Sequence, residues 1–126
     1  SGNIGQMDEI IKNKPEGFDV ISGDDGITFP LITLGAVGVI SVLGNAFPAE
    51  FSKMNRLALE GNYAEALTIH HQFTEIINLL FADGNPAGAK AMLNIMGMCE
   101  NKLRLPLVPA REVTYEKLRA AWEALK

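Results

Sequence analysis

Two short apolar runs in the first third of the chain predict buried β-strands. They are residues 18–21 (FDVI) and 37–42 (VGVISV), and neither alternates between apolar and polar positions. Continuous runs of this kind are typical of parallel strands that have helices packed on both faces of their sheet. The apolar segment 27–34 between them predicts a helix that has Pro30 in its first turn and ends at Gly35. Strand, helix and strand together predict a βαβ unit.

The rest of the pattern predicts helices joined by loops. After a loop at the start of the chain, a short helix that includes Met7, Ile10 and Ile11 is expected to end at Pro15 and Gly17. From residue 46 onward, apolar positions at helical spacing mark four further helices. Their buried faces are predicted to contain Phe47, Phe51, Met54 and Ala58; Leu67, Phe73, Ile76, Ile77 and Leu80; Met92, Leu93, Ile95 and Met96; and Leu118, Ala121, Trp122 and Leu125.

Capping residues predict where three of these helices begin. Asn62 has the position of an N-cap, with Glu65 three residues later as its capping-box partner. Asn85 is expected to cap the following helix, with Pro86 as the first helical residue. Thr114 is expected to cap the last helix.

The balance of strands and helices predicts an incomplete domain. Residues 1–60 have the pattern of the end of an α/β domain, and residues 61–126 have that of a helical extension. Two parallel strands leave both outer edges of their sheet unpaired, and so small a sheet is not stable by itself. We therefore expect this chain to be the C-terminal part of a larger protein, or to pair with another copy of itself.

The composition excludes several classes of function. The chain has 126 residues and a net charge of −4, and it contains no run of Lys or Arg that would bind nucleic acid or a membrane surface. Its longest apolar stretch is interrupted by Gly35, Gly38 and Gly44, so no segment predicts a membrane span. Cys99 is the only cysteine, which rules out an internal disulfide. We expect a cytoplasmic protein without nucleic-acid or membrane partners.

The loops that follow the two predicted strands are the candidate site, because the carboxyl ends of parallel strands carry the chemistry in α/β proteins. They are residues 22–26 (SGDDG) and 43–45 (LGN). Asp24 and Asp25 in the first loop could bind Mg²⁺, as in a small non-enzymatic interaction module. Two adjacent carboxylates do not provide an octahedral ligand set by themselves, so we favour a turn, a helix cap or a pocket wall.

Other reactive side chains have simpler explanations. His70 and His71 are neighbours on a predicted helix and point in different directions, so they cannot share a metal without further ligands. Cys99 is expected to be a small core residue. Lys90 stands among alanines on a helix surface, whereas an imine-forming lysine needs a desolvated pocket. We expect neither a metal nor a cofactor.

Five short motifs, spread over the whole chain, indicate a known family. They are Ser1-Gly2-Asn3; Ser22-Gly23-Asp24-Asp25; Gly38-Val39-Ile40-Ser41-Val42 followed by Asn45; Asn85-Pro86 with Lys90; and Leu103-Arg104-Leu105-Pro106. Each motif is weakly specific, whereas their order and spacing together are fairly specific. The chain resembles the C-terminal half of the dihydrodipicolinate synthase family, also called 4-hydroxy-tetrahydrodipicolinate synthases.

The resemblance implies a fold and an activity. The family consists of class I aldolase-type lyases built on a (β/α)8 TIM barrel with a helical C-terminal extension. This chain would supply the last two strands with their helices, and the extension. The implied reaction condenses pyruvate with aspartate semialdehyde through a lysine Schiff base, in the biosynthesis of diaminopimelate and lysine. The family is usually tetrameric, so the resemblance also implies a homo-oligomer.

The resemblance places the reactive amine outside this chain. In the family the imine-forming lysine lies in a Lys-Glu-Ala-Ser/Thr-Gly-Asn context, and this chain begins at the Ser of that context. The lysine is therefore expected just before Ser1, and the fragment is expected to be inactive without it. A related alternative is another pyruvate-dependent aldolase, such as N-acetylneuraminate lyase. The Ser-Gly-Asp-Asp and Leu-Arg-Leu-Pro motifs favour the synthase.

Four residues are expected to line the substrate pocket, as the resemblance implies. Ile40 matches a position whose main chain faces pyruvate at the end of the eighth strand. Gly23 matches the glycine after the seventh strand, where a side chain would obstruct the substrate. Asp24 would lie near the aldehyde substrate, and Asn45 would form a polar wall.

Overall fold

The computed structural model describes residues 2–126, and Ser1, with which the first motif begins, lies outside the described residues. Within residues 2–126 there are two short strands and six α-helices. In chain order they are α1 (Ile4–Asn13), β1 (Ile21–Ser22), α2 (Thr28–Leu34), β2 (Gly38–Val39), α3 (Pro48–Leu59), α4 (Tyr63–Phe81), α5 (Ala87–Ile95) and α6 (Glu112–Glu123). Two 3-10 turns, Asp25–Ile27 and Leu43–Asn45, follow the two strands. No helix in the described part of the chain has the length and apolar character needed to cross a bilayer.

The two strands form the predicted parallel pair. Ile21 lies opposite Gly38, and Ser22 lies opposite Val39. β1 shares only Ile21 with the predicted run 18–21, and β2 is a short part of the run 37–42. The predicted burial of both strands is wrong for this chain, because Ile21 is 51% exposed and β2 is only half-buried. One further hydrogen bond extends the pairing at each end. The Val37 N–H donates to the Val20 carbonyl, and the Ile40 N–H donates to the Ser22 carbonyl, each at 2.9 Å. The outer edge of each strand has no partner strand within residues 2–126, because this sheet has two strands only.

Helix α2 ends as the sequence predicts. Gly35 has φ +112°, a left-handed conformation that glycine adopts without strain. Its N–H donates to the Ile32 carbonyl at 3.0 Å, which closes the last turn. A Cβ at this position would also lie 3.1 Å from the Ile11 side chain, so glycine lets α1 pack against the end of α2.

One hydrophobic core joins α2 to helices α3, α4, α5 and α6. Its most completely buried large side chains are Leu43, Met54, Phe73, Ile76, Leu80, Met92 and Leu118. Of the faces predicted for α5 and α6, only Met92 and Leu118 are buried, and the other residues are half-buried against the core. The faces predicted for α3 and α4 are confirmed except at Leu67, which is 37% exposed. Ala66 takes the buried position instead, because it lies seven residues before Phe73 and therefore on the same face of α4.

The predicted starts of the helices are partly wrong. Helix α1 begins at Ile4, inside the segment predicted to be a loop. Asn62 precedes α4 but makes no side-chain cap to a backbone N–H; its Nδ2 donates to Glu65 Oε1 at 3.0 Å. Pro86 is itself the N-cap residue of α5, so that helix starts one residue later than predicted. Thr114 lies within the first turn of α6 and is buried, so it is not the cap.

Asp83 replaces Thr114 as the residue that holds the start of α6. Its carboxylate follows α4 and accepts hydrogen bonds from the N–H of Arg111 at 2.9 Å and from the Arg111 Nε at 2.6 Å. The pKa of Asp83 is lowered from its usual 3.8, first by a hydrogen bond from the Thr114 side chain and then by those from Arg111. The charged form of Asp83 therefore links α4 to α6.

We expect Asp83→Asn to lower thermal stability at pH 7. Because the folded-state pKa lies below that of the unfolded chain, the contribution is present above pH 3.8 and is lost as the pH falls. The difference in melting temperature between wild type and variant should therefore shrink between pH 7 and pH 3. Glu100→Gln is the control, because its ion pair with Lys102 joins two strongly exposed side chains. An equal loss in the control would contradict the assignment.

Candidate functional site

The loops that follow β1 and β2 lie side by side at the carboxyl edge of the sheet. The N–H of Ile40 donates to the Ser22 carbonyl at 2.9 Å. That carbonyl belongs to the peptide group that joins Ser22 to Gly23. Gly23 and Ile40, which the sequence analysis assigned to one pocket, are thus in adjacent backbone segments.

Both residues face open space. The Ile40 side chain is 78% exposed. A Cβ placed on Gly23 would have no neighbour within 4 Å in residues 2–126. The predicted reason for glycine at this position was a close approach by substrate. The chain's own described residues make no such approach, so the glycine is free to face a ligand or another part of a barrel.

A cavity of about 480 Å³ lies beside Gly23 and includes Asp24 in its wall. Its other lining residues are Gly2, Met7, Val20, Ile21, Ser22, Ile27 and Leu31. Ile40 and Asn45 are not part of this wall. The structure therefore places two of the four predicted residues in one cavity, a third next to it through a backbone hydrogen bond, and the fourth on the turn that follows β2.

Asp24 caps the 3-10 turn that leads into α2. Its Oδ1 accepts a hydrogen bond from the Gly26 N–H at 2.9 Å. Its carbonyl accepts hydrogen bonds from the hydroxyls of Ser22 at 2.9 Å and Thr28 at 2.7 Å. These two hydroxyls are buried and lie 2.9 Å apart. A small polar network beneath the loop thus fixes the backbone of residues 22–24.

Asp25 is the residue whose role the sequence analysis missed. It is 1% exposed, and its Oδ2 accepts hydrogen bonds from the N–H groups of Val42 at 3.0 Å and Leu43 at 2.8 Å. Its Oδ1 is buried and has no hydrogen-bond partner among the described residues.

Asn45 lies on the turn after β2 and is bonded to that turn. Its Nδ2 donates to the carbonyl of Val42 at 3.0 Å and approaches that of Ser41 at 3.4 Å. The Gly44 N–H donates to the Ser41 hydroxyl at 2.7 Å. Asn45 is exposed and keeps its side-chain oxygen for other partners, which is compatible with a polar wall.

The structure does not support the magnesium alternative. Asp24 and Asp25 direct their oxygens to different backbone N–H groups rather than to one point. In residues 2–126 no group of three or more His, Cys, Asp or Glu side chains is arranged to hold a metal.

The neighbouring His70 and His71 have ring centroids 5.7 Å apart. Burial, and then the proximity of His71, lower the pKa of His70.

Lys90 belongs to a different surface. It lines a cavity of about 330 Å³ with Lys102 and Arg104, and that cavity contains none of the four predicted pocket residues. Cys99 was predicted to be a core residue, but it is only half-buried, and its carbonyl accepts a hydrogen bond from Asn94 Nδ2 at 2.8 Å. Neither residue is joined to the loops after β1 and β2.

Residues 1–125 match the model of the Dihydrodipicolinate synthetase family. The chain belongs to this family. It is 76% identical, over all 126 residues, to the 4-hydroxy-tetrahydrodipicolinate synthase of Phocaeicola vulgatus, of which it covers 42%. The crystal structure of dihydrodipicolinate synthase from Aquifex aeolicus matches 98% of the chain with a TM-score of 0.93 and 39% identity, and the match covers 42% of that protein.

A third dihydrodipicolinate synthase has been solved with pyruvate bound. It is the chloride-inhibited enzyme from Acinetobacter baumannii, which matches 99% of this chain with a TM-score of 0.94 and 32% identity, over 43% of its own length. The chain thus spans less than half the length of these synthases. The fold prediction is confirmed, because the chain forms part of the dihydrodipicolinate synthase barrel together with a helical C-terminal part.

Proposed function

We propose that this chain is the C-terminal part of a 4-hydroxy-tetrahydrodipicolinate synthase, a lyase that condenses pyruvate with aspartate semialdehyde. The observation that carries the proposal is an alignment that spans all 126 residues of the chain, with 76% identity to a synthase of that name. The reactive amine in this proposal is a lysine that precedes Ser1 in the complete enzyme. The lysine forms a Schiff base with pyruvate, and no metal or cofactor takes part.

In this proposal the loops after β1 and β2 form one side of the pyruvate site. Ile40 presents its main chain to pyruvate, and Gly23 leaves room for it. Asp24 faces the aldehyde substrate, and Asn45 closes the polar side. The adjacent backbones of Gly23 and Ile40 support this arrangement, because a small keto acid can contact both only if they lie next to each other.

The remainder of the barrel covers the exposed apolar edge of this chain. Phe18, Ile21, Val37 and Ile40 are each more than 40% exposed although they lie in or beside the strands. Side chains project from the faces of a sheet, so other parts of the barrel cover them, while further strands pair with the free backbone edges. Residues 1–60 belong to the barrel and residues 61–126 to the helical extension. The complete protein is a cytoplasmic homotetramer that acts in diaminopimelate and lysine biosynthesis.

Borohydride trapping tests the proposed reaction. The full-length enzyme treated with pyruvate and sodium borohydride is expected to gain the mass of one reduced pyruvate adduct per chain. The 126-residue chain is expected to gain none, because its own lysines lie outside the pocket. Mass spectrometry of the intact protein and of its peptides would locate the adduct.

The choice of aldehyde separates the synthase from related aldolases. The full-length enzyme is expected to consume pyruvate with aspartate semialdehyde and not with N-acetylmannosamine. An adduct on the isolated chain would contradict the placement of the lysine. Trapping without condensation of aspartate semialdehyde would contradict the synthase assignment while leaving imine chemistry in place.

A further inference from the structure

Asp25 is the one carboxylate buried within the described residues, and none of the proposed binding roles uses it. Its Oδ2 accepts hydrogen bonds from the N–H groups of Val42 and Leu43, which lie 17 and 18 residues further along the chain. Asp25 therefore joins the loop after β1 to the loop after β2. These loops are the ones that carry Gly23 and Ile40. The bond therefore links the two halves of the proposed pyruvate wall.

The contacts of Asp25 are of a strong kind. A carboxylate that accepts backbone N–H bonds at 2.8–3.0 Å makes charge-assisted hydrogen bonds, which are about twice as strong as neutral ones. The N–H groups it binds belong to the start of the 3-10 turn Leu43–Asn45, where the first donors have no acceptor within the turn. Without Asp25, these donors would lose their only described partner.

The segment that contains Ile40 is held from both sides. The N–H of Ile40 is bonded to Ser22, and two residues later the N–H of Val42 is bonded to Asp25. The peptide groups in between, which include the Ile40 carbonyl, have their direction set by these two anchors. One anchor is the last residue of β1 and the other lies in the turn that follows it, so Ile40 keeps a fixed position relative to Gly23.

We propose that Asp25 is the positioning residue of the pyruvate site, which it maintains by fixing the Ile40 main chain beside Gly23. This inference rests on the proposed function. Asp25 does not touch the substrate in this scheme; Asp24, its neighbour in sequence, faces the cavity. Displacing a contact by about 1 Å can reduce catalytic efficiency by about 100-fold, so a modest shift of Ile40 would be measurable.

The test compares Asp25→Ala and Asp25→Asn in the full-length enzyme, with separate KM values for the two substrates. Asp25→Ala is expected to raise the KM for pyruvate about tenfold or more, with a smaller effect on the KM for aspartate semialdehyde. Asp25→Asn keeps a carbonyl oxygen that can accept both N–H bonds without the charge. Its KM for pyruvate should therefore lie between those of the wild type and the alanine variant.

Asn94→Ala is the control for a general loss of stability. It removes the hydrogen bonds of Asn94 to Tyr115 Oη at 2.6 Å and to the Cys99 carbonyl at 2.8 Å, in the helical extension. We expect it to lower the melting temperature and leave the KM for pyruvate unchanged. If the control raises that KM as much as Asp25→Ala does, the positioning role is overturned.

Two further outcomes are decisive. A folded Asp25→Ala enzyme with the wild-type KM for pyruvate would overturn the inference. If the alanine variant does not fold, Asp25→Asn decides: a raised KM for pyruvate supports the role, and an unchanged KM overturns it. A wild-type enzyme that does not condense the two substrates would instead reject the proposed function, so the two failures are distinguishable.

Discussion

Gly88→Ala is expected to destabilise the protein by about 3 kcal/mol or more, because the backbones of α4 and α5 touch at this position. A Cβ on Gly88 would lie 2.6 Å from the carbonyl carbon of Leu80 and 2.7 Å from its Cα, with the carbonyl oxygen closer still. These are backbone atoms in the last turn of α4, and they cannot rotate away as a side chain would. The two helices would have to separate, which would open the core around Leu80 and Met92.

Urea unfolding of the full-length protein measures this effect. Gly5→Ala is the matched control, because Gly5 lies on the exposed α1 and an added Cβ would meet only Asn3 Oδ1 at 3.4 Å. Alanine in an exposed helix is expected to be neutral or to stabilise by up to about 1 kcal/mol. If Gly88→Ala unfolds at the same urea concentration as wild type, the close approach of α4 and α5 is wrong.

Phe73→Ala is expected to cost about 4 kcal/mol in the free energy of unfolding. Phe73 is 2% exposed, and its ring lies 4.9 Å from that of Phe47. It packs in the core that joins α3, α4 and α6, so its removal leaves a cavity that rigid neighbouring helices cannot fill. The loss in the free energy of unfolding has two parts: the transfer free energy that burial of the ring contributes, and the cost of the cavity.

Phe73→Leu separates volume from aromatic character. It keeps most of the apolar volume and is expected to cost about 1 kcal/mol. Both variants can be followed by thermal and urea unfolding of the full-length enzyme. A loss for Phe73→Ala no larger than that for Phe73→Leu would mean that the site is less tightly packed than the structure has it.

Local rules were enough to predict most of the elements. The helix-ending role of Gly35 follows from the conformational freedom of a single residue, and in the structure Gly35 ends α2 in the left-handed conformation. The faces of α3, α4 and α6 follow from helical periodicity. The start of α6 was predicted incorrectly, because its N-cap residue, Arg111, is held by Asp83, 28 residues away in sequence. A contact supplied from such a distance leaves no pattern in the neighbouring residues.

The arrangement of the candidate site could likewise be predicted from the sequence only in part. The parallel pairing of the two strands could be expected from their apolar runs, and with it the nearness of Gly23 and Ile40. Asp24 and Asp25 could not be told apart, because they are adjacent and chemically identical. One is exposed and caps its own turn, whereas the other is buried and bonded to the loop after β2.

The sequence by itself determined the βαβ unit and the helical faces, because these depend on residue types at short, regular spacing. It also determined the family, because the order and spacing of short motifs along the chain are specific to it. Only the tertiary structure decided which carboxylate joins the two loops, which residue holds the start of α6, and why residue 88 must be glycine. Each of these depends on contacts between atoms of different helices or loops. Their distances are set by the packing of whole helices and strands, which local spacing does not encode.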